Sequence, residues 1–162
     1  LTYYSYPFKL AYPTIFTNFV VMRIISDGVA ILPPPFKGIL DKFVEQCIHD
    51  QNRFVFLAYN DVNECIGYVY CDVDDNQKVI ESSYGVYYTY NGQGYGTQII
   101  EFSNRYGKLL GMQDHIAWVS EHNIASNRVF QKNGFVKSNE VEIRKLPLLG
   151  GEHKFFKWVK EL

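Results

Sequence analysis

"ESSYGVYYTYNGQGYGT", Glu81 to Thr97, reads as a strand that runs into a glycine-rich turn and straight on into an amphipathic helix. Gly92, Gly94 and Gly96 alternate in the turn. A residue without a Cβ lets successive backbone amides turn inward around one oxygen-rich ligand. The helix that follows adds to this, because its first N–H groups have no partner inside the helix and its dipole favours an anion. Such a corner is suited to holding phosphate.

Alternating glycines also mark ordinary tight connections, so the surroundings must decide. A dinucleotide-binding fingerprint needs G-x-G-x-x-G and an acidic residue about 20 positions on, and here the third glycine comes one position too soon. A nucleotide phosphate loop needs Gly-Lys-Ser/Thr, but Gly96 is followed by Thr97 and Gln98.

Outward from this stretch, the pattern predicts strands at Phe19 to Ile25, Phe54 to Tyr59, Ile66 to Val73 and Val79 to Tyr88, joined by Asn- and Asp-rich turns in an antiparallel meander. Three prolines in "ILPPPFKG" break the chain after the first strand, and the spacing of Ile39, Leu40, Phe43, Val44 and Cys47 predicts a helix over Phe36 to His49. After the glycines, Ile99, Phe102, Tyr106 and Leu110 line one face of a helix from about Thr97 to Leu110, stopped by Gly111. Ile116 to Ser120 is then a fifth strand, parallel to the fourth because a whole helix separates them. Asn123 can cap a short helix that Gly134 ends. Strands over Phe135 to Ile143 and His153 to Val159, around a turn at Pro147 to Gly151, close the chain. The expected fold is α/β: a mixed, mostly antiparallel central sheet of about seven strands flanked by helices, in one domain over residues 1–162.

The 162 residues suffice for a sizeable core. A net charge of −1, with both signs spread along the chain, gives no footprint for nucleic acid or an anionic membrane surface. No apolar run reaches the roughly 18 residues that span a bilayer. Cys47, Cys65 and Cys71 form no C-x-x-C, and an odd count fits a reducing, cytoplasmic setting better than a disulfide framework. The chain opens at Leu1, which leaves room for a removed leader. His49, His115, His122 and His153 have no metal-ligand spacing and read as surface or capping residues, so no metal is expected.

Asn91-Gly92-Gln93-Gly94-Tyr95-Gly96 resembles motif A of the GNAT acyltransferase superfamily, Q/R-x-x-G-x-G/A. "NIASNRVFQKNGF", Asn123 to Phe135, resembles its motif B, and is most like the ribosomal-protein N-terminal acetyltransferase-like branch, where N-x-x-S precedes a helix ending in K/R-x-G-F. With "ESSYGVYY" and the closing "HKFFKWV", the resemblance covers roughly Arg53 to Lys160. It implies an N-acetyltransferase that moves an acetyl group from acetyl-CoA to a primary amine by direct attack in a ternary complex. It also implies fourth and fifth strands that splay apart, with the pantetheine arm of CoA filling the gap.

On that resemblance the backbone of Tyr84, Gly85 and Val86 meets the arm. The diphosphate sits over Asn91, Gly92, Gln93, Gly94, Tyr95, Gly96 and Thr97, while Asn123 and Phe130 complete the cofactor site. Asn91 stands where the family prefers Gln or Arg. Glu81 is the candidate general base, with Glu121 in reserve. Many family members have a tyrosine where this chain has Phe130, so Ser126 is the candidate donor to sulfur; Tyr84, Tyr87 and Tyr88 are rivals. Ser126 could instead serve only its helix's first turn.

The acceptor is an amine of unread identity. At pH 7 an α-amine with pKa about 8 is about one-tenth neutral and a lysine roughly once in 2,500, which favours a protein N-terminus or small amine by about 3.3 kcal/mol. The aromatic crowd at Tyr3, Tyr4, Tyr6, Phe8, Tyr12, Phe16 and Phe19 suits packing against the sheet or a partner in a homodimer, or a wall of the acceptor pocket. Two other readings stand beside the enzyme: a catalytically weak CoA-binding module acting as sensor or scaffold, and a nucleotide-binding regulatory domain using the same loop.

Overall fold

The computed structural model describes residues 21–25, 52–145 and 151–162. The aromatic N-terminal segment, the proline break, the helix expected over 36–49 with Cys47 and His49, and residues 147–150 of the last turn lie outside the described residues. In chain order the elements are β1 Val21–Ile25, β2 Arg53–Tyr59, β3 Cys65–Asp74, β4 Val79–Val86, a single 3-10 turn Tyr88–Tyr90, α1 Tyr95–Leu109, β5 Asp114–Ser120, α2 Ile124–Lys132, β6 Val136–Lys145 and β7 Glu152–Glu161. The seven strands form one sheet in the order β1-β2-β3-β4-β5-β7-β6. Every neighbouring pair is antiparallel except β4 and β5, whose connection through α1 makes them parallel.

Two boundaries differ from the sequence reading in a way that matters. β4 stops at Val86 rather than Tyr88, because Tyr88–Tyr90 coil into the 3-10 turn. Helix α1 begins at Tyr95, with Gly94 as its N-cap at φ 85°, so Gly96 belongs to the first helical turn and not to the loop. A left-handed residue at the cap turns the chain sharply enough to start the helix two residues early. Most other described strand ends extend by a residue or two, while β6 starts at Val136, one residue later than expected, all within ordinary fraying.

The core forms in two parts, one on each side of the β4–β5 boundary. On one side Phe56 meets Phe102 and Tyr106 edge-on at 4.8 and 4.9 Å, over fully buried Ile66, Val69, Ile80 and Ile99. On the other, Ile100, Ala117, Val119, Phe130, Phe135 and Trp158 pack together. Adjacent residues of α1, Ile99 and Ile100, thus serve different clusters, and Tyr84 touches both. Aromatic and aliphatic burial of this kind stabilises by about 1.5–3 kcal/mol per side chain.

β3 and β4 approach closely near their open end. A Cβ on Gly67 would stand 2.4 Å from the Gly85 carbonyl oxygen, and one on Gly85 would meet the Tyr68 ring at 2.5 Å. Backbone cannot swing away as a side chain can. Gly67→Ala is therefore expected to cost about 3 kcal/mol by overpacking, read from urea unfolding; a loss under about 1 kcal/mol would mean that the strands separate more easily than this packing implies.

Candidate active site

The parallel pairing of β4 with β5 is short. It consists of Val79↔Asp114, Ile80↔His115 and Glu81↔Ile116, and ends there, although both strands continue. On its other edge β4 stays paired with β3 through Val86. Tyr87 N–H donates to Ile66 O at 2.8 Å. The two-residue alternation of an antiparallel ladder therefore turns the main-chain groups of Ser82, Tyr84 and Val86 away from β3 and toward the gap. Beyond Glu81 these groups face no β5 rung.

A cavity of about 530 Å³ opens in that gap. Its walls are Ser82, Ser83 and Tyr84 on β4, Trp118, Val119 and Ser120 on β5, Asn123, Ser126 and Phe130 at α2, and His153 and Phe155 on β7, with His122 between β5 and α2. The sequence reading anticipated Tyr84, Asn123, Ser126 and Phe130. It passed over Ser82, Trp118 and Phe155; Ser82 shares a strand face with Tyr84 by the period of two and could have been found that way.

Each of the anticipated residues is held by a definite local reason. Asn123 caps α2, its Oδ1 accepting from Ser126 N–H at 3.1 Å. The Ser126 side chain is left for another partner, and the Tyr84 hydroxyl donates to its Oγ at 3.2 Å. Phe130, 2% exposed, packs edge-on to Tyr84 at 6.0 Å and to Phe135 at 5.0 Å. Burial raises the Tyr84 pKa from 10.0, while its bond to Ser126 pulls the other way, so the phenol stays protonated. At the far end of α2, Phe135 N–H bonds to Phe130 O and Gly134 N–H to Gln131 O, a Schellman stop with Gly134 at φ 82°.

The corner at the start of α1 is open. Gly92 and Gly94 have φ of 78° and 85°, and a Cβ at either would have no neighbour within 4 Å. Among the described residues the amides from Gly92 to Thr97 donate to no other main-chain group, and Gly94 provides no side-chain cap. Asn91 N–H is already used by Tyr88 O at 3.2 Å, and the Gln93 side chain folds back onto Thr89 O at 3.3 Å. Gly96 has a separate reason to lack a side chain: its Cβ would stand 3.0 Å from the Tyr84 ring. Tyr95 packs against the core. The main-chain donors and the absent side chains suit an oxygen-rich anion such as a diphosphate.

Glu81 sits on the last parallel rung, half-buried and not among the cavity walls. Burial, then the Asp72 carboxylate opposite it on β3, hold its pKa above the ordinary 4.5, and Arg144 and Arg53 pull it back in part. Arg53 is itself engaged by an ion pair with Asp72, and Arg144 by Glu142 at 2.7 Å. Glu121, the reserve, pairs with His122 at 3.5 Å.

One expectation is overturned outright. His115 is neither on the surface nor a cap: it is fully buried, with Nδ1 2.8 Å from Asn104 Oδ1 and Nε2 2.7 Å from Ser82 Oγ. Burial, helped by Lys160, pushes its pKa down to about 3, so the ring is neutral. Because strand β5 begins at Asp114 rather than Ile116, the histidine alternates inward with Ala117 and Val119.

Fold and site together define a mixed α/β architecture in which the sheet parts beside a helix start with unpaired main-chain donors. Residues 27–135 match the Acetyltransferase (GNAT) family, and the chain belongs to it; it is an acyltransferase. No curated protein sequence matches the chain. Among solved structures it is similar to a protein provisionally assigned as a phosphinothricin N-acetyltransferase, at 18% identity and TM-score 0.70, over 88% of this chain and 98% of that one. Spermidine/spermine N-acetyltransferase SpeG from Vibrio cholerae matches at 14% identity and TM-score 0.70, over 88% and 92%. Mycobacterium smegmatis RimJ in complex with CoA-disulfide matches at 15% and 0.67, over 77% and 60%. At these identities the likeness is one of fold.

Proposed function

We propose that this chain, as one domain over residues 1–162, is an N-acetyltransferase that takes acetyl-CoA and a primary amine into a ternary complex and joins them directly. The observation that carries this reading is the parting of β4 from β5 after Glu81↔Ile116, beside a helix start whose amides are free. When bound, acetyl-CoA supplies an activated acetyl group on a thiol that leaves tolerably well, since thiol pKa values lie near 8.5.

The amides of Gly92 to Thr97 would hold the diphosphate, and the gap-facing groups of Tyr84 and Val86 would pair with the pantetheine arm. A Tyr84 or Ser82 N–H directed at the carbonyl oxygen would lower the barrier by about 3 kcal/mol. Glu81 would accept the proton of the attacking amine, through water, since its carboxylate stands off the cavity wall. Its raised pKa makes it the better base. The Ser126 hydroxyl, which accepts from the Tyr84 hydroxyl, would donate its own proton to the departing sulfur in place of the hydroxyl that Phe130 lacks. Asn123 orients Ser126.

For the acceptor we favour a protein N-terminus or a small amine in a cytoplasmic setting. The named neighbours are a spermidine/spermine N-acetyltransferase, a protein provisionally assigned to phosphinothricin and RimJ in complex with CoA-disulfide, which is consistent with amines as acceptors and with the ribosomal-protein branch as one option among several. A dodecameric spermidine enzyme among the neighbours makes self-association reasonable here too. The second reading, a CoA-binding module with little turnover, is favoured by Phe130.

Thiol release from acetyl-CoA across a panel of amines tests both. The expected result is CoA release that depends on amine, with Ser126→Ala slowing turnover about tenfold while CoA affinity holds. Binding without release would select the module, and no heat stabilisation by acetyl-CoA would reject both readings.

A further inference from the structure

Two neighbouring parallel strands with main-chain groups facing each other would ordinarily go on pairing, because an unmade buried hydrogen bond is costly. β4 and β5 stop after three rungs. Directly at the parting lies a buried polar chain that transfer chemistry leaves unused. Ser82, the first residue of β4 past the last rung, is 1% exposed; His115 of β5 is 0% and Asn104 of α1 is 5% exposed.

The direction of every bond in this chain follows from its far end. Asn133, just past α2, donates both protons of its Nδ2, to Thr97 O at 3.2 Å and Val129 O at 3.0 Å, so its Oδ1 must accept. Asn104 Nδ2 donates to that oxygen at 3.4 Å, which turns Asn104 Oδ1 to His115. His115 then donates from Nδ1 at 2.8 Å and accepts at Nε2, and Ser82 Oγ–H donates to it at 2.7 Å. Phe135 packs edge-on against the imidazole at 4.8 Å and fixes its plane. One hydrogen-bonded chain thereby joins β4, β5, the first turn of α1 and the end of α2, the four elements that border the gap.

We propose that Ser82, His115 and Asn104 form a positioning unit that sets the separation of β4 and β5 beyond Glu81, and so the grip of the gap on the pantetheine arm of CoA. The proposal rests on the transferase reading above. Ser82 bonded to His115 holds β4 at one distance from β5: closer, and the imidazole has no room; farther, and Nε2 becomes a buried acceptor without a donor. None of the three side chains touches substrate through this chain. They act by fixing where the Ser82 and Tyr84 main-chain groups stand. The diphosphate corner at Gly92 to Thr97 is main-chain and does not depend on Ser82.

That separation of duties supplies the test. Calorimetry would compare CoA with its phosphoadenosine diphosphate half, which lacks the pantetheine, on wild type, Ser82→Ala and Ser82→Thr. Ser82→Ala is expected to weaken CoA about tenfold and its diphosphate half less than about twofold, and Ser82→Thr, which keeps the hydroxyl, to recover most of the loss. In steady state kcat should fall in Ser82→Ala along with a rise in KM for acetyl-CoA.

Cys71→Ala is the control. Cys71 Sγ lies 3.4 Å from Ser82 Oγ and, because Ser82 gives its proton to His115, can only donate to it, so its variant leaves the Ser82–His115 bond in place and should lose stability without any selectivity between the two ligands. Asn104→Ala, which breaks the chain at its other end, carries the same expectation should Ser82→Ala not fold. Equal weakening of both ligands, or CoA affinity unchanged in a folded Ser82→Ala, would overturn the proposal while leaving the transferase reading intact. A wild type that binds neither ligand would overturn both.

Discussion

Gly94→Trp is expected to reduce CoA affinity at least about a hundredfold while the protein remains folded. Gly94 caps α1 at φ 85°, where an L-residue costs roughly 1–2 kcal/mol. For a chain of this size that strain lowers the melting temperature by only a few degrees. The indole would extend from a position with no neighbour within 4 Å, into the space over the free amides that the diphosphate needs. Gly92→Ala separates strain from obstruction: Gly92 has φ 78° and is equally open, so a methyl group there should cost similar stability and little binding. Gly96→Trp is a poorer probe, since its side chain would first collide with the Tyr84 ring. Calorimetric titration with CoA reads the result, and wild-type affinity in folded Gly94→Trp would remove the diphosphate from this corner.

Glu81→Gln is expected to cost turnover about a hundredfold or more while leaving CoA affinity unchanged and raising thermal stability at neutral pH. The two effects have one origin. Burial and the Asp72 carboxylate hold the Glu81 pKa above 4.5, which means that the folded protein binds its proton more tightly than the unfolded chain does. Stability from this group is therefore fully present below pH 4.5 and is lost as pH rises through the raised pKa. Glutamine removes the cost of the buried charge, so the gain in melting temperature should be largest at neutral pH and vanish below 4.5. The same pKa is expected to set the acid limb of kcat in the wild type. Asp72→Asn, which removes a like charge, should move that limb to lower pH. A Glu81→Gln enzyme with wild-type rates across pH would take Glu81 out of the proton transfer and leave Glu121 as the carboxylate to test.

What could be read from the sequence was whatever depends on residues close together in the chain. The alternation of apolar residues placed the described strands, the spacing of Ile99, Phe102 and Tyr106 placed α1, and Asn123 to Ser126 and Gly134 to Phe135 announced the two ends of α2, because caps and stops reach only three to five residues. The parallel relation of β4 to β5 followed as well, since an intervening helix allows little else. The glycines of the corner were visible, but their separate duties were not: Gly92 and Gly94 adopt positive φ, whereas Gly96 makes way for a tyrosine twelve positions earlier. Nor could His115 have been placed, because its partners, Asn104 and Ser82, come from a helix and a strand that only packing brings together. The parting of β4 and β5 was legible only through the family resemblance of the two motifs, not from the local pattern of the strands. Local sequence sets the direction of a strand and which face is apolar, but where two strands cease to pair depends on tertiary contacts, such as the bond of buried His115 to Ser82, that exist only once the chain has folded.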